Sequence, residues 1–306
     1  MARLDPGAAS TGSRLDPRTV RRLLDDSSLR PRHALSQNFL ADVEVLERIL
    51  EAAAPSPGDR ILEIGPGLGI LTGGLLGAGA AVTAVELDSR LAARLGERFG
   101  AELQAGRAEG SVDQAPGSLR LIEGDALDQD LVHLVPPPYD VVANLPYHIT
   151  SPILHALLGE EPRPRRLVLM VQREVAERIA ARPGAMSYLS VFVQYHAAAR
   201  VLFRVSREAF EPAPEVESAV IELEPQNGSG RGRVALDPEQ EDDFWRLVQA
   251  GFRERRKMLR NVLARQLPVD EPRLQAALES AGIAPDRRPQ TLAVEEWIAL
   301  HRALRP

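Results

Sequence analysis

The chain has 306 residues, of which 44% are hydrophobic and 26% are charged, and its formal net charge is −6 at pH 7. This composition is typical of a soluble globular protein with one large or two moderate domains. Cysteine is absent, which excludes disulfides, thiolate metal sites, iron–sulfur clusters and cysteine nucleophiles. No apolar run approaches the roughly 20 residues that a membrane crossing needs, so we expect a cytoplasmic protein.

The first 30 residues mix Asp, Arg, Gly and Ser without an apolar segment. We therefore predict that residues 1–30 form a disordered extension and not a secretory signal. A polar pair, Gln37 and Asn38, then precedes a helix that Asp42 is placed to cap. Helix N-termini carry unpaired backbone N–H groups, which makes this pair a candidate ligand contact.

A buried strand over residues 61–64 leads into the glycine turn Gly65-Pro66-Gly67-Leu68-Gly69, which an apolar helix follows. Glycines at such a turn let the backbone pass close to a bound nucleoside. A second strand ends at Glu86, about twenty residues beyond Gly65, and an acid at that spacing accepts both ribose hydroxyls of an adenosine. Because Ile70 stands where a dinucleotide motif has its third glycine, the pattern favours S-adenosylmethionine as the ligand.

The third predicted strand, residues 119–123, ends just before Gly124-Asp125-Ala126. Asp125 is thus placed to accept the amino group of a bound adenine, although an Asp after a Gly is also common in plain turns. A helix is predicted over residues 89–99. Residues 100–118 are rich in Gly, Ala and Glu, and we expect them to form a surface insertion without a core role.

A fourth strand leads to Asn144-Leu145-Pro146-Tyr147, and Ser151 is predicted to cap the next helix. A loop held by proline presents backbone carbonyls and an aromatic ring in fixed directions. Such a loop suits a flat base that carries an exocyclic amine, and Phe210, which precedes two prolines, offers a second wall. The candidate catalytic residues are Asn144, Leu145, Pro146, Tyr147 and Phe210.

Strands that alternate with helices indicate a doubly wound, mostly parallel α/β sheet whose ligands gather at the strand carboxyl ends. Three further strand-like runs are predicted to close it with an antiparallel edge: 191–195, 201–205 and 218–223. A Gly- and Ser-rich linker over residues 226–236 then separates an α/β domain, 31–225, from a small all-α domain, 237–306. Its helices are predicted near 240–250, 253–266, 271–282 and 291–304.

Positive charge is dense at the start of the second of these helices, although the net charge of the chain is negative. A charged run on a helix is usually only a solvated face. Beside a nucleoside-modifying site it also suits phosphate contacts. The candidate RNA-binding residues are Arg253, Arg255, Arg256, Lys257 and Arg260.

Taken in order, these motifs resemble the small-subunit (16S) rRNA adenine N6,N6-dimethyltransferases of the KsgA type, a family with the Rossmann-like class I methyltransferase fold. The resemblance covers about residues 31–306. It implies S-adenosylmethionine as the cofactor. It implies that the cofactor site is lined by Asn38, Leu40, Gly65, Glu86, Asp125 and Asn144. The other candidate cofactor-binding residues are their neighbours in the same motifs: Gln37, Gly67, Gly69 and Ala126.

The resemblance also implies the substrate. Two adjacent adenines in the 3′-terminal hairpin loop of 16S rRNA, within an assembling small ribosomal subunit, would each receive two methyl groups. We expect a monomer that needs no metal. Glu215 stands where the family usually has Lys, which removes one candidate phosphate contact.

Other functions share parts of this pattern. The large-subunit rRNA adenine methyltransferases of macrolide resistance have the same kind of site, but they usually carry Ile where this chain has Leu145. Methyltransferases that act on protein glutamine or on DNA adenine are expected to carry Pro there. A ribosome-assembly factor with little turnover is a further alternative, which the intact Asn144 and Glu86 argue against. A dehydrogenase fits the glycine spacing least.

Overall fold

The computed structural model describes Val20 and residues 37–106, 115–226 and 236–305. The strands are β1 (Phe39–Leu40), β2 (Arg60–Ile64), β3 (Ala81–Glu86), β4 (Leu119–Glu123), β5 (Asp140–Asn144), β6 (Arg166–Gln172), β7 (Ala197–Val205), β8 (Phe210–Glu211) and β9 (Ser218–Pro225). The helices are α1 (Val43–Ala53), α2 (Ile70–Gly77), α3 (Ser89–Arg98), α4 (Gly100–Gly106), α5 (Thr150–Gly159), α6 (Arg173–Ile179), α7 (Tyr188–His196), α8 (Pro238–Phe252), α9 (Leu259–Gln266), α10 (Glu271–Ser280) and α11 (Val294–Leu304).

A seven-stranded sheet with the order β4-β3-β2-β5-β6-β9-β7 forms the centre of the protein. In this order, adjacent strands from β4 to β6 pair in parallel, whereas β9 pairs antiparallel with both β6 and β7. The predicted doubly wound, mostly parallel sheet is thereby confirmed. From β2 the chain builds outward through β3 to β4 and then returns to the other side of β2 as β5. This reversal creates a crevice at the strand carboxyl ends, where ligands bind in such folds.

Helices cover both faces of the sheet because each face carries its own apolar core. One face packs against α1, α2 and α3, with Ile49, Leu75 and Leu95 fully buried among the strand residues. The other face packs against α5, α6 and α7, where Leu154 and Ile179 are fully buried. Burial on both sides explains why the inner strands are nearly continuous apolar runs.

The prediction of a strand over residues 191–195 was wrong, because these residues belong to α7. Val191 and Tyr195 face the core of the C-terminal domain, while Phe192 and Val193 pack on the sheet. The β-branched and aromatic residues that suggested a strand are thus those of a helix buried on nearly all sides. A capping box, in which the side chains of Ser187 and Ser190 bind each other's backbone amides, fixes its start.

The C-terminal domain is helical as predicted, but its second helix is shorter than expected. Helix α8 ends at Phe252, turns follow, and α9 begins only at Leu259. Arg253, Arg255, Arg256 and Lys257 therefore lie in a turn, which we call the basic turn, whereas Arg260 lies in the first turn of α9. Just before this turn Gly251 packs closely, since a Cβ atom there would come within 2.4 Å of the Trp297 ring.

Two smaller predictions also need correction. Helix α5 begins at Thr150 after Ile149, so Ser151 lies inside the helix and does not cap it. Residues 100–106 form α4, where Leu103 packs against the main core, so this part of the predicted insertion does have a core role. Residues 107–114 of that insertion lie outside the described part of the chain.

Most of the predicted N-terminal extension and linker also lie outside the described residues. Val20, the one described position among residues 1–30, is fully buried against the main core. Leu236, at the end of the linker, is buried in the core of the C-terminal domain. Across the described ranges, none of the helices has both the length and the apolar character that a membrane crossing requires.

Candidate active site

A cavity opens at the carboxyl ends of β2, β3, β4 and β5, at the point where the strand order reverses. It is walled by the glycine turn after β2, the acid at the end of β3 and the loops after β4 and β5. The predicted site residues that line it are Gln37, Asn38, Leu40, Gly65, Gly67, Glu86, Asp125, Ala126, Asn144, Leu145, Pro146 and Tyr147. Residues far apart in the sequence therefore share one cavity.

Glu86 ends β3 with both carboxylate oxygens held by backbone amides. The Gly67 amide donates to Oε2 at 3.0 Å, and the Asp88 amide donates to Oε1 at 2.8 Å. Burial raises the pKa of Glu86, and these two donors oppose the shift. Because each carboxylate oxygen has two lone pairs, the fixed carboxylate keeps acceptor capacity for hydroxyl groups in the cavity.

Gly65 and Gly67 let the turn after β2 pass between two other segments. Both have positive φ, and a Cβ atom on Gly65 would lie 3.3 Å from Cδ of Pro146. A Cβ atom on Gly67 would lie 3.2 Å from the Phe39 ring. The glycine turn is thus pressed against the loop after β5 on one side and against β1 on the other.

Gly69 has a different role from the one predicted. It does not line the cavity, and a Cβ atom there would lie 2.6 Å from side-chain carbons of both Leu95 and Phe99. Its φ of +73° is also unfavourable for other residues. Gly69 therefore allows α2 to begin close against α3, and it supports the turn without contacting a ligand in the cavity.

Asp125 follows β4, and its side chain fixes the local chain direction. Its Oδ1 atom accepts from the backbone amide of Leu127 at 2.9 Å and so starts a short helical turn over residues 126–128. The carboxylate lines the cavity opposite the glycine turn. This position is consistent with an acceptor for an adenine amino group.

The loop after β5 is held at both ends. The Leu145 amide donates to the carbonyl of Met170 at 3.0 Å, which continues the pairing of β5 with β6 beyond Asn144. The Asn144 side-chain amide donates to the carbonyl of Asn38 at 3.5 Å. With its Nδ2 atom turned toward Asn38, Asn144 presents its Oδ1 atom as an acceptor.

Tyr147 lies at the rim of the cavity, partly buried, and its hydroxyl is 2.8 Å from that of Ser218. Burial raises the pKa of Tyr147, so the hydroxyl remains protonated at physiological pH. The hydrogen bond to β9 holds the hydroxyl end of the ring in place. The neighbouring His148 is exposed and also lines the cavity.

Phe210 is not brought to the cavity. It lies in β8, is 2% exposed and packs in the main core, where Leu40 is its partner in the β1–β8 pair. The expected second wall of a base clamp is therefore absent from this arrangement, since the ring already fills the core. The two prolines that follow it orient the backbone, as predicted, but they direct the ring inward.

The five predicted RNA-binding residues lie in the C-terminal domain, away from the cavity lining, and all are exposed. Arg253 donates to the side chain of Gln266 at 2.7 Å, and Arg255 donates to the carbonyl of Met186 at 3.5 Å. The second contact links the basic turn to the segment that precedes α7. The turn thus lies beside the boundary between the two domains.

Comparison with known proteins decides the family. The family model described as ribosomal RNA adenine dimethylase matches residues 28–305. The chain belongs to this family. The adenine dimethylase match extends over both domains, so the helical domain is part of the family pattern as well.

Relatives in the adenine dimethylase family cover nearly the whole chain. The ribosomal RNA small subunit methyltransferase A of Moorella thermoacetica is 42% identical over 294 residues, which is 92% of this chain and 95% of that protein. The protein of the same name from Synechococcus sp. (strain RCC307) is 42% identical over 283 residues, which is 90% of this chain and 96% of its relative.

Solved structures agree with this membership. A dimethyladenosine transferase from Plasmodium falciparum is 27% identical with a TM-score of 0.67, covering 86% of this chain and 95% of that one. The 23S rRNA methyltransferase ErmE is 28% identical with a TM-score of 0.64, covering 87% of this chain and 99% of that one.

One residue that lines the cavity, Glu63, is not among the site residues predicted from the sequence. Glu63 lies in β2, is 1% exposed and lines the cavity, and among the described residues its Oε2 atom has no hydrogen-bond partner. Burial raises the pKa of Glu63 to about 8, and the negative charge of Glu86 adds to the shift. The signal was present in the sequence, because an acid within an apolar buried strand is costly without a role.

Proposed function

We propose that this protein transfers methyl groups from S-adenosylmethionine to N6 of two adjacent adenines in the 3′-terminal hairpin loop of 16S rRNA, acting as a monomer on assembling small subunits in the cytoplasm. The observation that carries the proposal is the shared cavity. It brings the amine-orienting loop after β5 together with the nucleoside-binding acids after β3 and β4. The family membership and the names of the relatives support the choice of rRNA adenine.

The residues of the cavity fit the cofactor. The ribose hydroxyls, the adenine amino group and the ammonium group of the cofactor can all donate hydrogen bonds. The cavity presents matching acceptors in Glu86, Asp125 and the unpaired Oε2 atom of Glu63. When bound, the cofactor would supply an activated methyl group on a sulfonium.

The role of this chain is then to position the amine. Adenine N6 is a weak nucleophile because its lone pair is delocalised into the ring. If Asn144 Oδ1 and the Leu145 carbonyl both accept from the amine, the nitrogen is drawn toward tetrahedral geometry and its lone pair is directed toward the methyl group. Fixed acceptors of this kind act through positioning and electrostatics, and they need no charged base.

The base itself needs a surface to stack on. Tyr147 offers its ring, whose hydroxyl end is held by Ser218. Stacking on one aromatic ring contributes about 1–3 kcal/mol per base. Phe210, which is buried in the core, is not part of this stacking surface.

The direct test is mass spectrometry of rRNA after incubation of the protein and S-adenosylmethionine with undermethylated small subunits. Dimethyladenosine at two adjacent positions is the expected product. The likeness to a 23S rRNA methyltransferase favours large-subunit rRNA as the second candidate substrate. Parallel incubation with large-subunit rRNA, followed by primer extension on both RNAs, separates the two. Methylation of large-subunit rRNA alone would refute the small-subunit assignment.

A further inference from the structure

The segment that carries Gln37 and Asn38, which we call the strap, lines the cavity. Its far end is anchored where β1 pairs with β8, with Leu40 opposite Phe210. Its near end is held by a side-chain contact, in which Nε2 of Gln37 donates to Oδ2 of Asp88 at 3.3 Å. Asp88 lies two residues after the predicted ribose acceptor, so the contact joins two segments of the cavity wall that are distant in sequence.

Asp88 is well built to hold the strap. Its side chain is 2% exposed, and it receives Nε and Nη2 of Arg90 at 3.0 and 2.7 Å. Its Oδ1 atom also caps α3 by accepting from the Arg90 amide at 3.1 Å. The Arg90 guanidinium lowers the pKa of Asp88 to about 2. Asp88 is therefore a permanently charged, rigid acceptor at physiological pH.

Each end of the contact continues to a functional residue. On one side the Asp88 amide donates to Oε1 of Glu86 at 2.8 Å. On the other side Asn38, the neighbour of Gln37, accepts the side-chain amide of Asn144 through its carbonyl. A continuous chain of contacts thus runs from the ribose acceptor to the residue that orients the target amine.

We propose that Gln37 and Asp88 form a latch that holds the strap over the cofactor and couples occupation of the ribose subsite to the orientation of Asn144. Both are positioning residues, and the coupling rests on the proposed cofactor. Through the latch, Oδ1 of Asn144 is held in the position that orients the target amine when the ribose subsite is occupied.

The test exchanges the two partners. Gln37→Glu sets a carboxylate against Asp88 and repels it, while the α3 cap remains. Adding Asp88→Asn restores a donor and acceptor pair in reversed order, and Asn caps helices as well as Asp does. A matched control is Gln275→Glu, because Gln275 also donates to a carboxylate, that of Glu279 at 3.0 Å, but on α10.

Two readouts are measured. Calorimetry gives the Kd for S-adenosylhomocysteine, and hydrogen exchange of residues 37–41 is followed in the ligand-free protein. We expect Gln37→Glu to weaken binding about tenfold and to speed exchange, with both effects largely reversed by adding Asp88→Asn. Gln275→Glu is expected to change neither. The latch would be overturned if Gln37→Glu left both the Kd and the exchange rate unchanged. It would also be overturned if the double variant showed the same Kd and exchange rate as Gln37→Glu alone.

The two readouts separate this proposal from the proposed function. If the unsubstituted protein does not bind S-adenosylhomocysteine, the proposed cofactor is wrong, together with the coupling that rests on it. Exchange in the ligand-free protein still decides whether the latch itself exists. If binding is normal and exchange of the strap does not respond to Gln37→Glu, the latch alone is wrong.

Discussion

The hydroxyl oxygens of Tyr147 and Ser218 lie 2.8 Å apart, so a hydrogen bond joins the loop after β5 to the first residue of β9. This bond fixes the ring without requiring the hydroxyl for chemistry. We expect Tyr147→Ala to raise KM for rRNA about 10- to 100-fold, in line with the loss of one stacked base. Tyr147→Phe, which keeps the ring, should stay within about tenfold of the unsubstituted enzyme. Steady-state kinetics measure KM for both variants, and calorimetry measures their affinity for S-adenosylhomocysteine. An equal rise of KM in the two variants would assign the role of Tyr147 to its hydroxyl and not to its ring.

Asn144→Ala removes the side-chain acceptor for the target amine. Loss of one such positioned group typically lowers kcat about 10²- to 10³-fold, whereas we expect the affinity for S-adenosylhomocysteine to fall less than tenfold. Asn144→Asp is the matched variant, since it keeps an acceptor but loses the donor to the Asn38 carbonyl. Its kcat should be intermediate. Turnover of Asn144→Ala near the unsubstituted rate would contradict the proposed role.

A substitution at Gly69 tests whether this residue serves the packing of α2 or the binding of the cofactor. Gly69→Ala forces a Cβ atom to within 2.6 Å of Leu95 and Phe99 at a positive φ, and such overpacking costs about 1–3 kcal/mol. Gly77→Ala lies at the other end of α2, where a Cβ atom meets nothing within 4 Å, so it should be neutral or stabilising. Denaturant unfolding measures both. A normal stability of Gly69→Ala combined with lost cofactor binding would restore Gly69 to the site.

Glu63 predicts a pH dependence of stability. Its folded-state pKa of about 8 lies above the ordinary value of 4.5, so the folded protein binds more protons than the unfolded chain between these values. The free energy of unfolding contributed by Glu63 should therefore fall as pH rises from about 4.5 to about 8, by an amount on the order of a few kcal/mol. Glu63→Gln should remove this decline, while the exposed Glu97→Gln should not. If the free energy of unfolding depended on pH in the same way in the Glu63→Gln and unsubstituted proteins, the raised pKa of Glu63 would be refuted.

The basic turn predicts a salt dependence of RNA binding. Replacing Arg255, Arg256 and Lys257 by Gln should make the slope of log K against log salt less steep by about 2–3 units, since each phosphate contact contributes about 0.7–0.9. Arg246→Gln is the control, because Arg246 is exposed but already paired with Asp243 on α8. Binding titrations over a range of salt concentrations measure the slope. An unchanged slope would identify the turn as a merely solvated surface.

Local signals in the sequence were sufficient for most of the cavity. The glycine turn and Glu86 follow from spacing and from the rule that parallel strands end at one edge. What spacing does not contain is the direction of a side chain. Phe210 follows the expected pattern of residues, yet pairing of β8 with β1 turns its ring into the core. Gly69 belongs to the expected glycine turn but packs against Leu95 and Phe99, much further along the chain.

Tertiary burial also overrode local propensity. Residues 191–195 have strand-like composition, and only the second domain, which covers their outer side, makes a helix with buried residues all around favourable. The basic run has helical composition, but α8 ends at Phe252 and turns follow before α9 begins at Leu259. The error over residues 191–195 arose because the partner surface comes from a distant part of the chain.

Among the described residues β9 is the last strand in sequence, but it is an inner strand of the sheet, between β6 and β7. It runs antiparallel, so its first residue, Ser218, reaches the catalytic edge beside Gln172 and Tyr147. During synthesis, therefore, β6 and β7 have no shared partner until this segment leaves the ribosome. Tyr147 therefore gains the hydrogen-bond partner of its hydroxyl only after one of the last parts of the α/β domain has emerged.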